Sequence, residues 1–109
     1  MNRHLEANQY KIAELCRRYD VAVLELFGSA AEAEPAGTTG DFDFIVTFLH
    51  PTAPGVGQRY MGLAEDLEEL LGRPVDILTN RPFANPYFAE AVAKTRRIIY
   101  ARSNEEAPV

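Results

Sequence analysis

The chain has 109 residues, of which 47% are hydrophobic and 25% charged, and its formal net charge is -5. This length and composition predict one folded globular domain and exclude a largely disordered chain. The acidic charge argues against a general nucleic-acid binder, because binding to phosphate backbones requires clustered lysine and arginine. One short basic group contains Lys94, Arg96, Arg97 and Arg102. It is too small to change that conclusion, although it could hold a phosphate or an acidic partner.

The cysteine content and the apolar runs indicate a cytoplasmic protein. Cys16 is the only cysteine, so an internal disulfide is excluded, as is typical of a reducing compartment. The sequence shows no signal peptide and no apolar run long enough to cross a bilayer. We therefore expect a cytoplasmic localisation without membrane contact, a single domain over residues 1–102, and a flexible tail over 103–109.

The first half of the chain predicts a helix followed by a strand. Residues 3–19 show an apolar stripe at helical spacing, formed by Leu5, Ile12, Leu15, Cys16 and Tyr19. The segment 21–27, VAVLELF, is rich in strand-forming residues and ends at a glycine. A short helix over residues 30–34 and a Pro- and Gly-containing loop over 35–40 are expected next.

The second half predicts two more strands and two more helices. Residues 41–49 form an apolar strand that we expect to be central in a sheet. Residues 58–71 form an amphipathic helix that ends at a glycine, and residues 74–79 form a short strand. A last helix is expected to open at Asn85-Pro86 and to extend to about residue 99. This order predicts helices packed on a sheet of at least three strands, in the α/β or α+β class.

Three aspartates are the main candidates for chemistry. Asp41 and Asp43 alternate with Phe42 and Phe44, so the two carboxylates share one face of a strand. Asp76 lies inside the third predicted strand and can join them if the strands are neighbours. Like charges at this spacing repel each other unless they take up protons or bind a hard cation. Oxygen ligands favour Mg²⁺ or Mn²⁺ over zinc.

A Gly-Ser pair supplies a second half of the candidate site. Gly28 and Ser29 follow directly after the first strand. Glycine allows a close approach of the backbone to a ligand, and the start of a helix offers N–H groups to an anion. Phosphates at this turn and a metal on the aspartates together indicate a nucleoside triphosphate site.

This pattern resembles the minimal nucleotidyltransferases of the DNA polymerase beta superfamily, particularly the MNT-type proteins that are paired with HEPN toxins. In that family a strand ends in Gly-Ser, an Asp-x-Asp follows after a short helix and a loop, and a third Asp lies on a later strand. The matching positions are Gly28, Ser29, Asp41, Asp43 and Asp76. The resemblance covers almost the whole chain and implies a nucleotidyltransferase-like fold with a small mixed sheet.

The resemblance also implies a role for each of these residues. Asp41 and Asp43 would hold two Mg²⁺ ions and the triphosphate of ATP. Asp76 would contact the catalytic metal and help to deprotonate the acceptor hydroxyl, and Gly28 and Ser29 would bind the phosphates. The implied activity is transfer of AMP to a hydroxyl of a partner, a tyrosine of a HEPN ribonuclease toxin, which would make the chain an antitoxin.

Two departures from the family pattern keep alternatives open. Family members often carry Arg-Gly where this chain has Glu32-Ala33, and a serine where Gly40 stands. One alternative is therefore an antitoxin that masks its partner without transferring a nucleotide, and another is a transferase that modifies a small molecule. A structural alternative for the aspartate pair is that Asp41 ends the Gly-rich loop and that Asp43 faces solvent on an edge strand. A separate alternative is that Asp76, shortly after Pro74, is an exposed edge residue.

Overall fold

The computed structural model describes residues 3–27, 42–79, 90 and 96–102. Within these residues the chain forms three helices and four strands. In chain order they are α1 (Arg3–Ala7), α2 (Gln9–Arg18), β1 (Val21–Phe27), β2 (Phe42–Phe48), α3 (Val56–Leu71), β3 (Val75–Thr79) and β4 (Arg97–Ala101). The predicted short helix 30–34, the start of the last predicted helix at Asn85-Pro86 and the predicted tail 103–109 lie outside the described residues.

The strands form one mixed sheet in the order β3-β2-β1-β4. β1 pairs antiparallel with both β2 and β4, whereas β2 pairs parallel with β3. The predicted α+β class and the central position of β2 are thus confirmed. β3 lies at one edge of the four described strands, as Pro74 indicated.

The core lies between one face of the sheet and the helices. Strand alternation turns the even-numbered residues of β2 towards the helices, and Phe42, Phe44 and Val46 are almost completely buried. Facing them, Ile12 and Cys16 of α2 and Leu63, Leu67 and Leu71 of α3 are buried. The helical stripes predicted for these two helices are confirmed, and Glu65, Glu68 and Glu69 are exposed as expected.

The structure corrects two of the predicted elements. The last helix was expected to continue to about residue 99, but residues 97–101 form strand β4. The physical reason is the run Ile98-Ile99-Tyr100, whose β-branched and aromatic residues favour a strand and which pairs with β1. The first helix is divided at Asn8, a residue that competes for backbone hydrogen bonds and is disfavoured inside helices.

A turn at Gly72 positions the strand that carries Asp76. Gly72 has a φ of 69°, and its N–H donates to the carbonyl of Glu68 at 2.8 Å. This left-handed conformation is favourable for glycine and ends helices. The chain therefore reverses after α3 and returns as β3 beside the same helix. None of the helices in the described part of the chain is long and apolar enough to cross a membrane.

Candidate active site

The sheet brings two of the three predicted aspartates together. Asp43 of β2 and Asp76 of β3 are directly paired in the parallel register. Paired residues of neighbouring strands point to the same face, and such strands are about 4.8 Å apart. Asp43 is half-buried and Asp76 is exposed. Asp76 is therefore an exposed edge residue, as its structural alternative held, and also the direct neighbour of Asp43. The alternative for Asp43 is wrong, because β2 lies between β1 and β3.

The two carboxylates line a cleft of about 510 Å³. The cleft reaches both faces of β3. Its walls contain side chains from α3 and side chains from the face of the sheet that is opposite to the helices. Its lining residues are Phe27, Asp43, Tyr60, Ala64, Val75, Asp76, Ile77 and Leu78. Apart from the carboxylates and the Tyr60 hydroxyl, the side chains in the walls are apolar.

The remaining predicted site residues are connected to this cleft by sequence. Phe27, the last residue of β1, pairs with Asp43, and Gly28 and Ser29 follow it in the chain. Asp41 directly precedes Phe42, the first residue of β2. Gly28, Ser29 and Asp41 themselves lie outside the described residues, so their predicted roles stay predictions.

The face of the sheet opposite the main core carries a second, smaller apolar cluster. Phe27 and Ile45 are buried there, and Leu78 packs against them. Ile45 and Leu78 each follow an aspartate by two positions in the same strand, and Phe27 pairs with Asp43. The three side chains therefore share the face of the carboxylate pair and form the floor beside it.

A bidentate ion pair lies on the same face of the sheet. Arg96 donates two hydrogen bonds to the Glu25 carboxylate, with N–O distances of 3.0 and 2.7 Å. The pKa of the Arg96 guanidinium is raised mainly because Glu25 accepts these hydrogen bonds. Sequence reasoning assigned Arg96 to a basic group near the C-terminus and missed this partner, since Glu25 is 71 positions away in the chain.

Two residues of α3 support the strand that carries Asp76. The Tyr60 hydroxyl donates to the main-chain carbonyl of Ile77, and the Glu68 carboxylate accepts from the N–H of Val75 at 3.1 Å. Helical periodicity predicted that Tyr60 faces the core and that Glu68 faces water. It gave no signal for either backbone contact, because such contacts depend on how β3 returns along the helix.

The described part of the site fits a hard divalent cation by its donor chemistry. Asp43 and Asp76 provide carboxylate oxygens on one face, which are the ligands that Mg²⁺ prefers. Within residues 3–27, 42–79, 90 and 96–102, no group of three or more His, Cys, Asp or Glu side chains is assembled for a metal. Asp41, the third expected ligand, is outside those ranges.

Comparison with known proteins identifies the family. The family model described as "Polymerase beta, Nucleotidyltransferase" matches residues 10–105. The chain therefore belongs to the polymerase beta nucleotidyltransferase family, as its sequence motif indicated.

Individual relatives agree with this assignment. A protein of Methanocaldococcus jannaschii named "Putative protein adenylyltransferase" is 35% identical over 75 residues, which are 69% of this chain and 73% of the relative. A solved structure described as a "putative minimal nucleotidyltransferase" is 30% identical with a TM-score of 0.68, over 89% of this chain and 95% of that chain.

A more distant likeness shows the fold alone. The structure matched is a solved complex of a tri-AMPylated HEPN toxin of Shewanella oneidensis with an MNT antitoxin. The matched chain is 21% identical with a TM-score of 0.59, and the match covers 93% of this chain and 76% of that one.

Proposed function

We propose that this protein is a metal-dependent nucleotidyltransferase that transfers AMP from ATP to a hydroxyl group of a partner protein. The observation that carries the proposal is the direct pairing of Asp43 with Asp76 at the edge of a cleft. A stable fold has little reason to place two carboxylates side by side, since two unit charges 4 Å apart repel by about 1 kcal/mol even in water. In a nucleotidyltransferase this cost is offset when a cation binds between them.

In this proposal Asp41, Asp43 and Asp76 would hold two Mg²⁺ ions, and Gly28 and Ser29 would bind the triphosphate. The metal, when bound by these carboxylates, would neutralise charge at the phosphates. Asp76 accepts the proton of the acceptor hydroxyl. The acceptor oxygen then forms a bond to the α-phosphorus, the bond between the α-phosphorus and its bridging oxygen breaks, and pyrophosphate leaves.

The partner that we propose is a HEPN-type toxin, and the acceptor is a tyrosine of that toxin. The support is twofold: a relative of 35% identity is named as a protein adenylyltransferase, and a neighbour of the same fold is in a complex with an AMPylated HEPN toxin. AMP on the toxin would silence it, so the chain would act as an antitoxin.

A second candidate function is an antitoxin that masks its partner without transferring AMP. The observation in its favour is Glu32-Ala33, which stands where family members often carry Arg-Gly. An acidic side chain near a triphosphate would repel it. Asp41, Asp43 and Asp76 favour the transferase, because all three carboxylates that the family pattern requires are present.

One experiment distinguishes the two functions. The purified protein is incubated with ATP, Mg²⁺ and the product of a neighbouring gene that encodes a small helical protein, and the partner's intact mass is measured. A gain of one or more AMP units, mapped to a tyrosine by peptide analysis, is the expected result. A stable complex without any gain in mass would contradict the transferase and support masking.

A further inference from the structure

Among the described residues, a helix and not a strand contacts the outer side of the strand that carries Asp76. On its inner side, the N–H of Phe42 in β2 donates to the carbonyl of Pro74 at 3.2 Å. Backbone groups of alternate residues in a strand point to the same side. The backbone groups of residues 74, 76 and 78 therefore face β2, whereas those of Val75 and Ile77 face the outer edge.

Side chains of α3 bond two of these four outward-facing groups, one on each residue. The N–H of Val75 donates to the Glu68 carboxylate at 3.1 Å, and the carbonyl of Ile77 accepts from the Tyr60 hydroxyl. The two bonds lie immediately before and immediately after Asp76. Unbonded edge groups are liable to fray or to pair with other chains, and covering them with a helix is one way to prevent this.

The position of Asp76 depends strongly on the register of β3. A slip of one residue turns every side chain of a strand to the opposite face, which would move the Asp76 carboxylate from the face of Asp43 to the face of the helices. β3 has only five residues, so few ladder bonds oppose such a slip. The bonds from Tyr60 and Glu68 add two fixed points that exist only in the observed register.

We propose that Tyr60 and Glu68 are positioning residues, which clamp the outer edge of β3 and thereby hold Asp76 beside Asp43. This inference rests on the proposed function, in which Asp76 binds metal and takes up a proton. The clamp acts through the backbone on either side of Asp76, so neither residue has to contact the nucleotide. A misplacement of about 1 Å at such a group can reduce turnover about 100-fold.

The test compares variants that remove one clamp bond with variants matched for chemistry and location. Tyr60→Phe deletes one hydroxyl. Its control is Tyr19→Phe, which deletes a hydroxyl that donates to Asp66 of α3 at 2.5 Å. Glu68→Ala deletes the acceptor for Val75, and its control is Glu65→Ala, at an exposed position of the same helix. Glu68→Gln keeps an oxygen acceptor and should restore the parent's behaviour.

Three readouts are measured on the full chain: amide hydrogen exchange of residues 75–79, the dissociation constant for Mn²⁺ alone, and kcat and KM for AMP transfer. In Tyr60→Phe and Glu68→Ala we expect exchange about fivefold to tenfold faster and Mn²⁺ binding about fivefold weaker, as the loss of one hydrogen bond implies. We expect kcat to fall about tenfold or more with the KM for ATP nearly unchanged. The two controls should leave the Mn²⁺ affinity and kcat unchanged.

Each contrary outcome identifies what has failed. Unchanged exchange, or a Tyr19→Phe variant with the same loss of Mn²⁺ affinity as Tyr60→Phe, would overturn the clamp. Faster exchange with unaltered Mn²⁺ affinity and kcat would show that the two bonds only cover the edge, which also overturns it. A parent that binds Mn²⁺ but transfers no AMP would contradict the proposed function. In that case the amide exchange rates and the Mn²⁺ affinities of the variants would still test whether Tyr60 and Glu68 act as a clamp. A parent that binds no Mn²⁺ would overturn both.

Discussion

At the scale of single residues, the pairing of Asp43 with Asp76 has an energetic consequence in the absence of metal. The two carboxylates occupy paired positions on one face, so their charges repel each other and destabilise the metal-free fold. Asp76 is exposed, and the appropriate magnitude is therefore that for charges in water, about 1 kcal/mol at 4 Å. Cation binding should remove this repulsion.

Asp43→Asn should therefore stabilise the metal-free protein. We expect its melting temperature to rise by about 4–8 °C, the shift that corresponds to about 1 kcal/mol in a domain of this size. Mg²⁺ should raise the melting temperature of the parent but not that of the variant, because ligands that bind the native state stabilise it. Glu65→Gln removes the same charge elsewhere and is the control. A variant that melts below the parent, together with a parent unaffected by Mg²⁺, would contradict the carboxylate pair as a cation site.

A second prediction at this scale concerns Cys16. Burial raises the pKa of its thiol to about 12 from an ordinary 9.0. Above pH 9 the unfolded chain loses the thiol proton whereas the folded protein retains it, so the unfolded state is favoured as pH rises. The contribution of the Cys16 thiol to the free energy of unfolding is fully present below pH 9. It is lost between about pH 9 and pH 12, at about 1.4 kcal/mol per pH unit.

Chemical denaturation at several alkaline pH values measures this dependence. Cys16→Ala should be less stable than the parent at neutral pH because it loses packing, but its stability should fall less steeply above pH 9. If the parent and Cys16→Ala lose stability with the same slope, the raised thiol pKa is wrong. The buried thiol should also react with alkylating reagents only after unfolding.

At the scale of elements, Arg59 of α3 secures the end of the sheet that is remote from the carboxylates. Its guanidinium donates to the main-chain carbonyls of Leu49 and His50, each at 2.9 Å, and lies over the Phe48 ring at 5.0 Å. His50 has a positive φ of 51°, a strained conformation for a non-glycine residue. Arg59 therefore holds the turn after β2 in an unfavourable backbone conformation.

Arg59→Ala should destabilise the protein without changing the site. We expect a loss of about 2–3 kcal/mol in the free energy of unfolding, since several charge-assisted hydrogen bonds to backbone are lost. Denaturant titration measures the loss, with the exposed neighbour Gln58→Ala as control. Mn²⁺ affinity at 20 °C, well below unfolding, should remain that of the parent; a loss of affinity without a loss of stability would contradict the assignment.

Sequence patterns predicted the elements where one local signal dominates. The strands 21–27 and 42–48 and the helix that ends at Gly72 follow from apolar periodicity and from a glycine stop. The strand 97–101 was missed because the helix-forming residues before it extended the helical pattern into Ile98-Ile99-Tyr100. Pairing with β1, a contact between distant parts of the chain, decides this segment.

The close contact between α2 and α3 could not be predicted either. A Cβ atom at Gly62 would lie 2.6 Å from the Tyr19 ring, so a larger residue there would displace the ring from its observed position beside Asp66. The pKa of the Tyr19 hydroxyl is raised, mainly because the Asp66 carboxylate accepts its hydrogen bond. Nothing in the local pattern around Gly62 indicates this approach, which depends on how two helices pack.

At the scale of the whole molecule, the sequence predicted the family, whereas the pairing of the strands that carry Asp43 and Asp76 was only a condition that the site required. The order Gly-Ser, Asp-x-Asp and a third Asp is a pattern that extends from Gly28 to Asp76, and the match to the polymerase beta nucleotidyltransferase family agrees with it. The parallel pairing of β2 with β3 brings Asp43 beside Asp76, although the two residues are 33 positions apart in the sequence. The support of β3 by α3 lies beyond such patterns, because it depends on side chains that reach backbone groups.

The most direct test of the central claim is AMP transfer from labelled ATP to the partner by the parent, Asp43→Asn, Asp76→Asn and the control Glu65→Gln, with Mg²⁺ present. The account predicts labelling of the partner by the parent and by Glu65→Gln, and a loss of at least about 100-fold in both aspartate variants. Labelling that persists in both aspartate variants, or that is absent from the parent with a folded and bound partner, would contradict it.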